Sequence, residues 1–141
     1  MSDRDQVPEP PEGFTPSARG PFTTHNGPFF HRQTPDGFEH AFYALRRHCN
    51  GMGIVHGGML TTFLDGLLAR AVVNAIESAA VTVHLSVDFL SMARAGDWVF
   101  GDGRVTRKTR DLVFVEGRVR VGEREVLRGS GVFKPVRRRI D

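Results

Sequence analysis

The chain has a single cysteine, Cys49, so no internal disulfide can stabilise it. A lone thiol suits a reducing compartment, and a buried apolar role is favoured over a reactive one. Long hydrophobic runs are also missing: no window approaches about 18 uncharged apolar residues, so we expect no membrane span. The N-terminal sequence MSDRDQVPEPPEG lacks the apolar stretch of a secretory signal. These absences lead us to expect a cytoplasmic protein.

A length of 141 residues allows one domain with one hydrophobic core. Five of the eight prolines fall within residues 1–21, and we expect this segment to be an extended or disordered lead-in. Residues 22–141 are then predicted to form a single domain.

The net charge is +3, and the sequence pI is about 9.7. A solvated basic face is one interpretation of this balance, and a site for an anionic small ligand is another. Nucleic acid is disfavoured, because no recognition motif or interleaved aromatic platform accompanies the charge. The positive side chains concentrate in the C-terminal half, at Arg104, Arg107, Lys108, Arg110 and Arg137–Arg139.

Hydrophobic periodicity predicts the first half of the fold. Two short apolar runs flank the turn sequence Thr34-Pro35-Asp36-Gly37, which is typical of a hairpin. Apolar residues recur at three- and four-residue steps from Met59 to Ala75, which predicts a long helix. From Val81 to Phe89 the period changes to two, which predicts a half-buried strand.

Three more strands are predicted over 98–106, 112–121 and 125–135, with Gly101 and Gly103 marking a bulge or bend. The predicted order is two short strands, one long helix and a four-strand antiparallel meander. Because no βαβ alternation or internal repeat occurs, this order indicates an α+β domain. A long sheet wrapped around one apolar helix would bury both elements.

The start of the predicted helix carries the residues of greatest chemical interest. Gly57 and Gly58 leave the backbone N–H groups of its first turn uncovered, and such donors can bind an anion or a developing oxyanion. Asp65 lies about two turns further along the same face, off the main apolar stripe. From spacing alone, Asp65 could equally be a solvent-exposed residue, His56 a helix cap, and Asn50 a turn residue.

The pattern Arg-His-x-Asn, then His-Gly-Gly-Met-Leu, then Asp seven residues beyond the second glycine resembles the hotdog-fold acyl-CoA thioesterases. The branch that it resembles is the phenylacetate-pathway (PaaI-like) type. The likeness extends from about residue 27 to 135 and includes the Ala95-Gly96-Asp97 turn. A helix Asp, in place of the Glu of another thioesterase branch, supports this assignment. The resemblance does not identify the acyl group.

The resemblance implies a role for each matching residue. Asn50 and the Gly57 backbone N–H would polarise the thioester carbonyl. Asp65 from a partner subunit would activate the attacking water or attack directly. Thr82 would help to hold the water, and His56 would orient Asn50 or lie near the leaving sulfur.

Substrate binding would involve the loops that follow the first and second long strands, where basic side chains suit the phosphates of coenzyme A. His84, two residues past Thr82, is expected on the same strand face and would line the site. Helix residues such as Thr62, Leu68 and Ala69 would line the acyl tunnel. The family implies a homodimer, often paired into a tetramer, and no cofactor is expected. The proposed substrate-binding residues are Gly58, His84, Ser91, Arg94, Arg107, Lys108, Thr109 and Arg110.

Three other functions compete with this interpretation. A metal site at His48, His56, Asp65 and His84 is disfavoured, because no metal-ligand spacing relates these residues. A hotdog-fold dehydratase would carry different motifs around its acid–base pair. A non-catalytic acyl-CoA binding module could share the fold, although intact Asn50, Gly57 and Asp65 argue for turnover.

Overall fold

The computed structural model describes residues 6–17 and 19–136, which form one antiparallel sheet and one long helix. The helices are α1 (Pro21–Asn26) and α2 (Gly57–Ile76), with a short 3-10 turn at Arg46–His48. The strands are β1 (Thr15–Pro16), β2 (Phe29–Thr34), β3 (Gly37–Tyr43), β4 (Ala80–Phe89), β5 (Trp98–Lys108), β6 (Val113–Val121) and β7 (Arg124–Pro135).

The order of the strands in the sheet is β1-β2-β3-β5-β6-β7-β4, and all neighbours are antiparallel. The predicted hairpin around residues 34–37 is confirmed, as is the α+β class. The prediction of a four-strand meander was wrong, because β5 pairs with β3 while β4 pairs with β7 at the far edge. Alternation and turn residues predict that a strand exists, but they do not specify its partner.

Helix α2 packs across the sheet through fully buried leucines, among them Leu64, Leu67 and Leu68. Its close approach depends on glycines in the strands beneath it: a Cβ on Gly101 would lie 2.6 Å from Leu67, and one on Gly129 would lie 2.4 Å from Leu64. The absence of a side chain at Gly101 therefore allows the helix to pack closely on the sheet. Gly101 does not mark a bulge, contrary to the prediction. The bulge of β5 falls later in the strand, between Val105 and Arg107.

Both ends of α2 are capped. His56 precedes the first turn, and its Nδ1 accepts a hydrogen bond from the Gly58 N–H. Glu77 ends the helix in a left-handed conformation, with its N–H donating to the Val73 carbonyl. By length and composition α2 could cross a bilayer, which the sequence analysis did not expect, but such weak evidence also fits the core helix of this sheet.

Strand β4 departs from the predicted alternation. A bulge between Thr82 and His84 adds Val83 to the strand and shifts its register against β7. Val81 and Val83, which were expected on the buried face, are 51% and 53% exposed. Leu85 and Val87, beyond the bulge, pack against the core as predicted. Since β4 is also the last strand of the sheet, it presents an unpaired ten-residue edge.

Of the two forms expected for the lead-in, extended or disordered, residues 6–17 and 19–20 fit the extended one, with a short strand at Thr15–Pro16. Thr15 and Pro16 pair with β2, and Phe14 is buried against Phe30 and Ala41. A buried aromatic ring and a strand pairing are enough to order a proline-rich segment against the sheet. Residues 1–5 and the basic tail at Arg137–Arg139 lie outside the described residues.

Candidate active site

Asp65 and Thr82 meet at the junction of α2 and β4. The Thr82 hydroxyl donates a hydrogen bond to Asp65 Oδ1 at 2.6 Å. Thr82 pairs with the buried Phe133 of β7, and this pairing turns its side chain toward the helix. Asp65 is half-buried, while Thr82 is exposed along the edge of the sheet. The structure therefore brings together two of the predicted residues and presents the carboxylate beside an open edge.

The N-terminal end of α2 holds a second group of predicted residues. His56 occupies the Gly58 N–H, so the histidine acts as a helix cap, as one of its two interpretations allowed. Within the described residues the Gly57 N–H has no hydrogen-bond partner, which leaves it available to an acceptor. Among the described residues no hydrogen bond joins His56 to Asn50.

Asn50 lies in the loop that leads into α2. Its Oδ1 accepts hydrogen bonds from the N–H groups of Met52 and Ile54, at 2.9 and 3.2 Å. These bonds assign the carbonyl oxygen to the loop and turn the Nδ2 amide outward, where no described residue accepts from it. The bridge between Cys49 and Val55 and the bond from His56 N–H to the His48 carbonyl tie this loop to the helix start.

His48 explains why a histidine precedes this loop. It is buried, its Nδ1 accepts from the Leu45 N–H, and its Nε2 lies 2.8 Å from the Asn26 carbonyl. Burial lowers the pKa of His48, so the ring is neutral and structural. The pKa of the Cys49 thiol is raised, chiefly by burial, which fits the predicted unreactive role.

The two groups of residues are far apart in one chain. Asp65 follows Gly57 by eight residues, which corresponds to about 12 Å along the helix axis. A water molecule and the donors of an oxyanion hole must each lie roughly 3 Å from the same carbonyl group. Within one chain the carboxylate and the donors at the helix start therefore do not lie side by side.

His84 does not lie on the face predicted for it. Because Val83 is an extra residue, Thr82 faces the helix while His84 pairs with Val132 and lies on the face opposite Leu85. The same outer face carries Ser86 and Asp88, which line a groove with charged side chains of β5–β7. His84 therefore lies on the face of β4 opposite Thr82, which holds Asp65.

The predicted coenzyme A residues fall into two clusters at opposite ends of β5. Ser91 and Arg94 precede the strand, whereas Arg107, Lys108, Thr109 and Arg110 lie at or just beyond its other end. An 11-residue strand separates these ends by roughly 35 Å. Ser91 is also engaged, since its hydroxyl donates to the Glu125 carbonyl and accepts from Arg124. One subunit cannot bring both clusters to the same nucleotide.

Two further side chains of α2 have structural explanations. The Arg70 guanidinium lies 4.5 Å from the centre of the Phe38 ring. Leu68 is fully buried in the core, so of the three expected tunnel residues Thr62 and Ala69 are the accessible ones.

No group of His, Cys, Asp and Glu in residues 6–17 and 19–136 could hold a metal ion.

Two residues that contact α2 near the predicted site, Phe89 and Arg19, were not predicted as site residues from the sequence. The Phe89 ring is more than half exposed and covers Gly57, where a Cβ would lie 3.2 Å from it. The Arg19 guanidinium donates to the carbonyl of Gly66, the residue after Asp65, at 3.0 Å. Alternation did place Phe89 on the inner face, but nothing in the sequence links Arg19 to a helix 47 residues away.

Comparison with known proteins places the chain in a family. PA0474 of Pseudomonas aeruginosa strain PAO1, named as a candidate esterase, is 41% identical over 129 residues, which cover 87% of this chain and 95% of that protein. A phenylacetic acid degradation-related protein from Ralstonia eutropha JMP134 has 25% identity and a TM-score of 0.74, with 83% and 92% of the two chains covered.

The BH2602 protein of Bacillus halodurans, solved with CoA, has 24% identity and a TM-score of 0.69, and covers 77% of this chain and 74% of its own. These likenesses confirm the hotdog fold, in which an antiparallel sheet wraps one long helix. Residues 52–127, which contain the start of α2, Asp65 and Thr82, match the family model described as "Thioesterase superfamily". The chain therefore belongs to the thioesterase superfamily.

Proposed function

We propose that this protein hydrolyses acyl-CoA thioesters to a free acid and coenzyme A. The observation that carries the proposal is the pairing of two complementary half-sites on one helix. The Asp65 carboxylate, oriented by Thr82, lies at the middle of α2, while uncommitted donors at Gly57 and Asn50 lie at its start. Membership of the thioesterase superfamily supports hydrolysis.

The chemistry requires little beyond these groups. Asp65 would take a proton from water as the water attacks the thioester carbonyl, with Thr82 fixing the carboxylate. The Gly57 N–H and the Asn50 amide would stabilise the oxyanion of the tetrahedral intermediate. Collapse of that intermediate would release the coenzyme A thiolate, which leaves without a strong acid. Direct attack by Asp65, through an anhydride, is a second route to the same products.

The exposed edge of β4 supports a homodimer that completes the site. Two copies can join their sheets by antiparallel pairing of this edge, and such pairing would cover the exposed Val81 and Val83. A two-fold axis near the middle of β4 would place Thr82 opposite Phe89 of the partner subunit. Since Phe89 covers Gly57, Asp65 would then face the partner subunit's Gly57.

The same two-fold symmetry would bring the Arg94 cluster of one subunit close to the Arg107–Arg110 cluster of the other. The turn at 109–112 lies at the Thr82 end of the sheet, because Val113 pairs with Phe133 and Phe133 pairs with Thr82. Arg94 lies at the other end, after β4. Antiparallel pairing would therefore bring Arg107–Arg110 of one subunit toward the partner subunit's Arg94, and both can bind phosphate. The CoA in the Bacillus halodurans structure is compatible with this proposal.

Two alternatives predict different behaviour. A binding module would bind acyl-CoA without releasing thiol, and a dehydratase would act on a hydroxyacyl thioester without cleaving it. The Gly57 N–H and the Asn50 amide have no acceptor among the described residues, which favours hydrolysis, because both can donate to a carbonyl oxygen. The proposal includes a cytoplasmic location, where acyl-CoA substrates are available, and assembly of the dimers into tetramers.

The test is thiol release from a panel of short-chain, long-chain and arylacetyl-CoA esters, with Asp65→Asn as the matched variant. We expect the wild type to release thiol and Asp65→Asn to lose at least about 1,000-fold in kcat, since it lacks the base. The substitution keeps an acceptor oxygen for Thr82, so the fold and coenzyme A binding should persist. Near-normal turnover by Asp65→Asn would contradict the proposal.

A further inference from the structure

A cluster of basic side chains covers the helix face next to Asp65. Arg19 donates to the Gly66 carbonyl at 3.0 Å, and its second terminal nitrogen lies 3.5 Å from His40 Nδ1. The rings of His31 and His40 are 6.5 Å apart, and Arg70 stacks on Phe38 at the cluster's far side. Three separate segments, the N-terminal lead, the β2–β3 hairpin and α2, converge on this point.

The positive charge of the cluster is not balanced. Neither Arg19 nor Arg70 forms an ion pair with a carboxylate of the described residues. Burial and then the Arg70 charge lower the pKa of Arg19. Burial, followed by the charge of Arg19, lowers the pKa of His40 to about 3, so His40 is neutral at pH 7. The partly buried Arg19 and the nearby Arg70 therefore have no carboxylate partner among the described residues.

A small cavity connects this cluster to the catalytic helix. Arg19 and His40 form one wall, and Thr62 and Gly66 form another, so the cavity adjoins the exposed stripe of α2 beside Asp65. Its volume of about 20 Å³ accepts roughly one water-sized group, which corresponds to a single oxygen atom of a carboxylate and not to a ring. Arg19 has five N–H donors, of which two have the partners named above, so others can still reach a ligand.

We propose that Arg19, assisted by His40, determines substrate specificity by binding a carboxylate at the far end of the acyl group. The preferred substrates would then be coenzyme A monothioesters of short dicarboxylic acids. A guanidinium in a partly buried wall favours a carboxylate strongly over a methyl group, because only the carboxylate satisfies its charge and its remaining donors. This inference rests on the proposed thioesterase activity.

Chain-matched pairs of substrates test the inference: succinyl- with butyryl-CoA, glutaryl- with valeryl-CoA, and adipoyl- with hexanoyl-CoA. We expect the wild type to give the higher kcat/KM for the acidic member of at least one pair. Arg19→Gln should lower kcat/KM for that member by about 10-fold or more and leave its methyl-ended partner within about 3-fold. Arg32→Gln is the matched control, since Arg32 pairs with Glu39 and does not line this cavity.

The outcomes separate the two proposals. Preference of the wild type for the methyl-ended member of every pair would overturn the specificity inference while leaving the hydrolase intact. An equal loss on both members in Arg19→Gln would overturn it too. Absence of thiol release from every ester would overturn the hydrolase itself. If Arg19→Gln does not fold, as judged by thermal melting, the wild-type preference within each pair decides the question.

Discussion

The first half of α2 presents different chemical groups at its two ends, Gly57 and Asp65. At Gly57 the helix presents backbone and amide donors, a covering aromatic ring and no base. At Asp65, about 12 Å further along, it presents a carboxylate held by Thr82 and no free N–H group, because the backbone there is hydrogen-bonded within the helix. Each end holds what the other lacks, so two helices in opposite directions would form two complete sites.

After the loss expected for Asp65→Asn, the largest effect that tests this comparison is expected at the donor end. Asn50→Asp keeps an oxygen to accept from the Met52 and Ile54 N–H groups, but it replaces the outward-facing amide donor by a carboxylate oxygen. We expect kcat to fall by roughly 100- to 1,000-fold, with an unchanged melting temperature. Steady-state thiol release and thermal melting provide the measurements, and retention of full activity would remove Asn50 from the oxyanion site.

Mixing variants tests whether the two ends act across subunits. Co-expressed Asn50→Asp and Asp65→Asn chains should pair at random, so half of the dimers are mixed and each mixed dimer has one intact site. We expect recovery to about a quarter of wild-type activity, although each variant alone is nearly inactive. Thiol release by the co-expressed mixture is the measurement, and the separated mixed dimer should reach about half of the wild-type activity. Failure to exceed either parent would show that both ends serve one chain.

A smaller effect is expected from the hydroxyl that orients the base. Thr82→Val preserves the shape of the side chain but removes the 2.6 Å hydrogen bond to Asp65. We expect kcat to fall roughly 10-fold, the usual loss for one hydrogen bond to a charged group. Thr82→Ser should retain most of the activity, since it keeps the hydroxyl. Equal rates for the two variants would mean that Thr82 does not act through Asp65.

Local patterns predicted most of the elements because they depend on nearby residues. The helix period, the glycine pair before it and the turn at residues 34–37 each appear in short stretches of the chain, and the structure contains all three. The position of the β4 bulge is different. The alternation of Val81 to Phe89 looks continuous in sequence, yet one inserted residue moves His84 to the opposite face from Thr82.

The glycines of the sheet show a similar limit. Gly101 suggested a bulge because strand glycines often mark one. Its lack of a side chain instead leaves room for Leu67, which belongs to a helix more than 30 residues earlier. The lead-in shows the same limit. Its proline content allowed an extended or a disordered segment, and only pairing with β2 and the burial of Phe14 select the extended form.

The sequence by itself determined the type and order of the main elements from β2 to β7, the glycine pair at the start of α2 and the carboxylate two turns beyond it. These follow from residue type and short-range spacing. Only the tertiary structure decided that β4 lies at an open edge, that Thr82 holds Asp65, and that Arg19 reaches the same helix. Each of these contacts joins residues far apart in the chain. They arise from how the sheet wraps the helix, which no local pattern encodes.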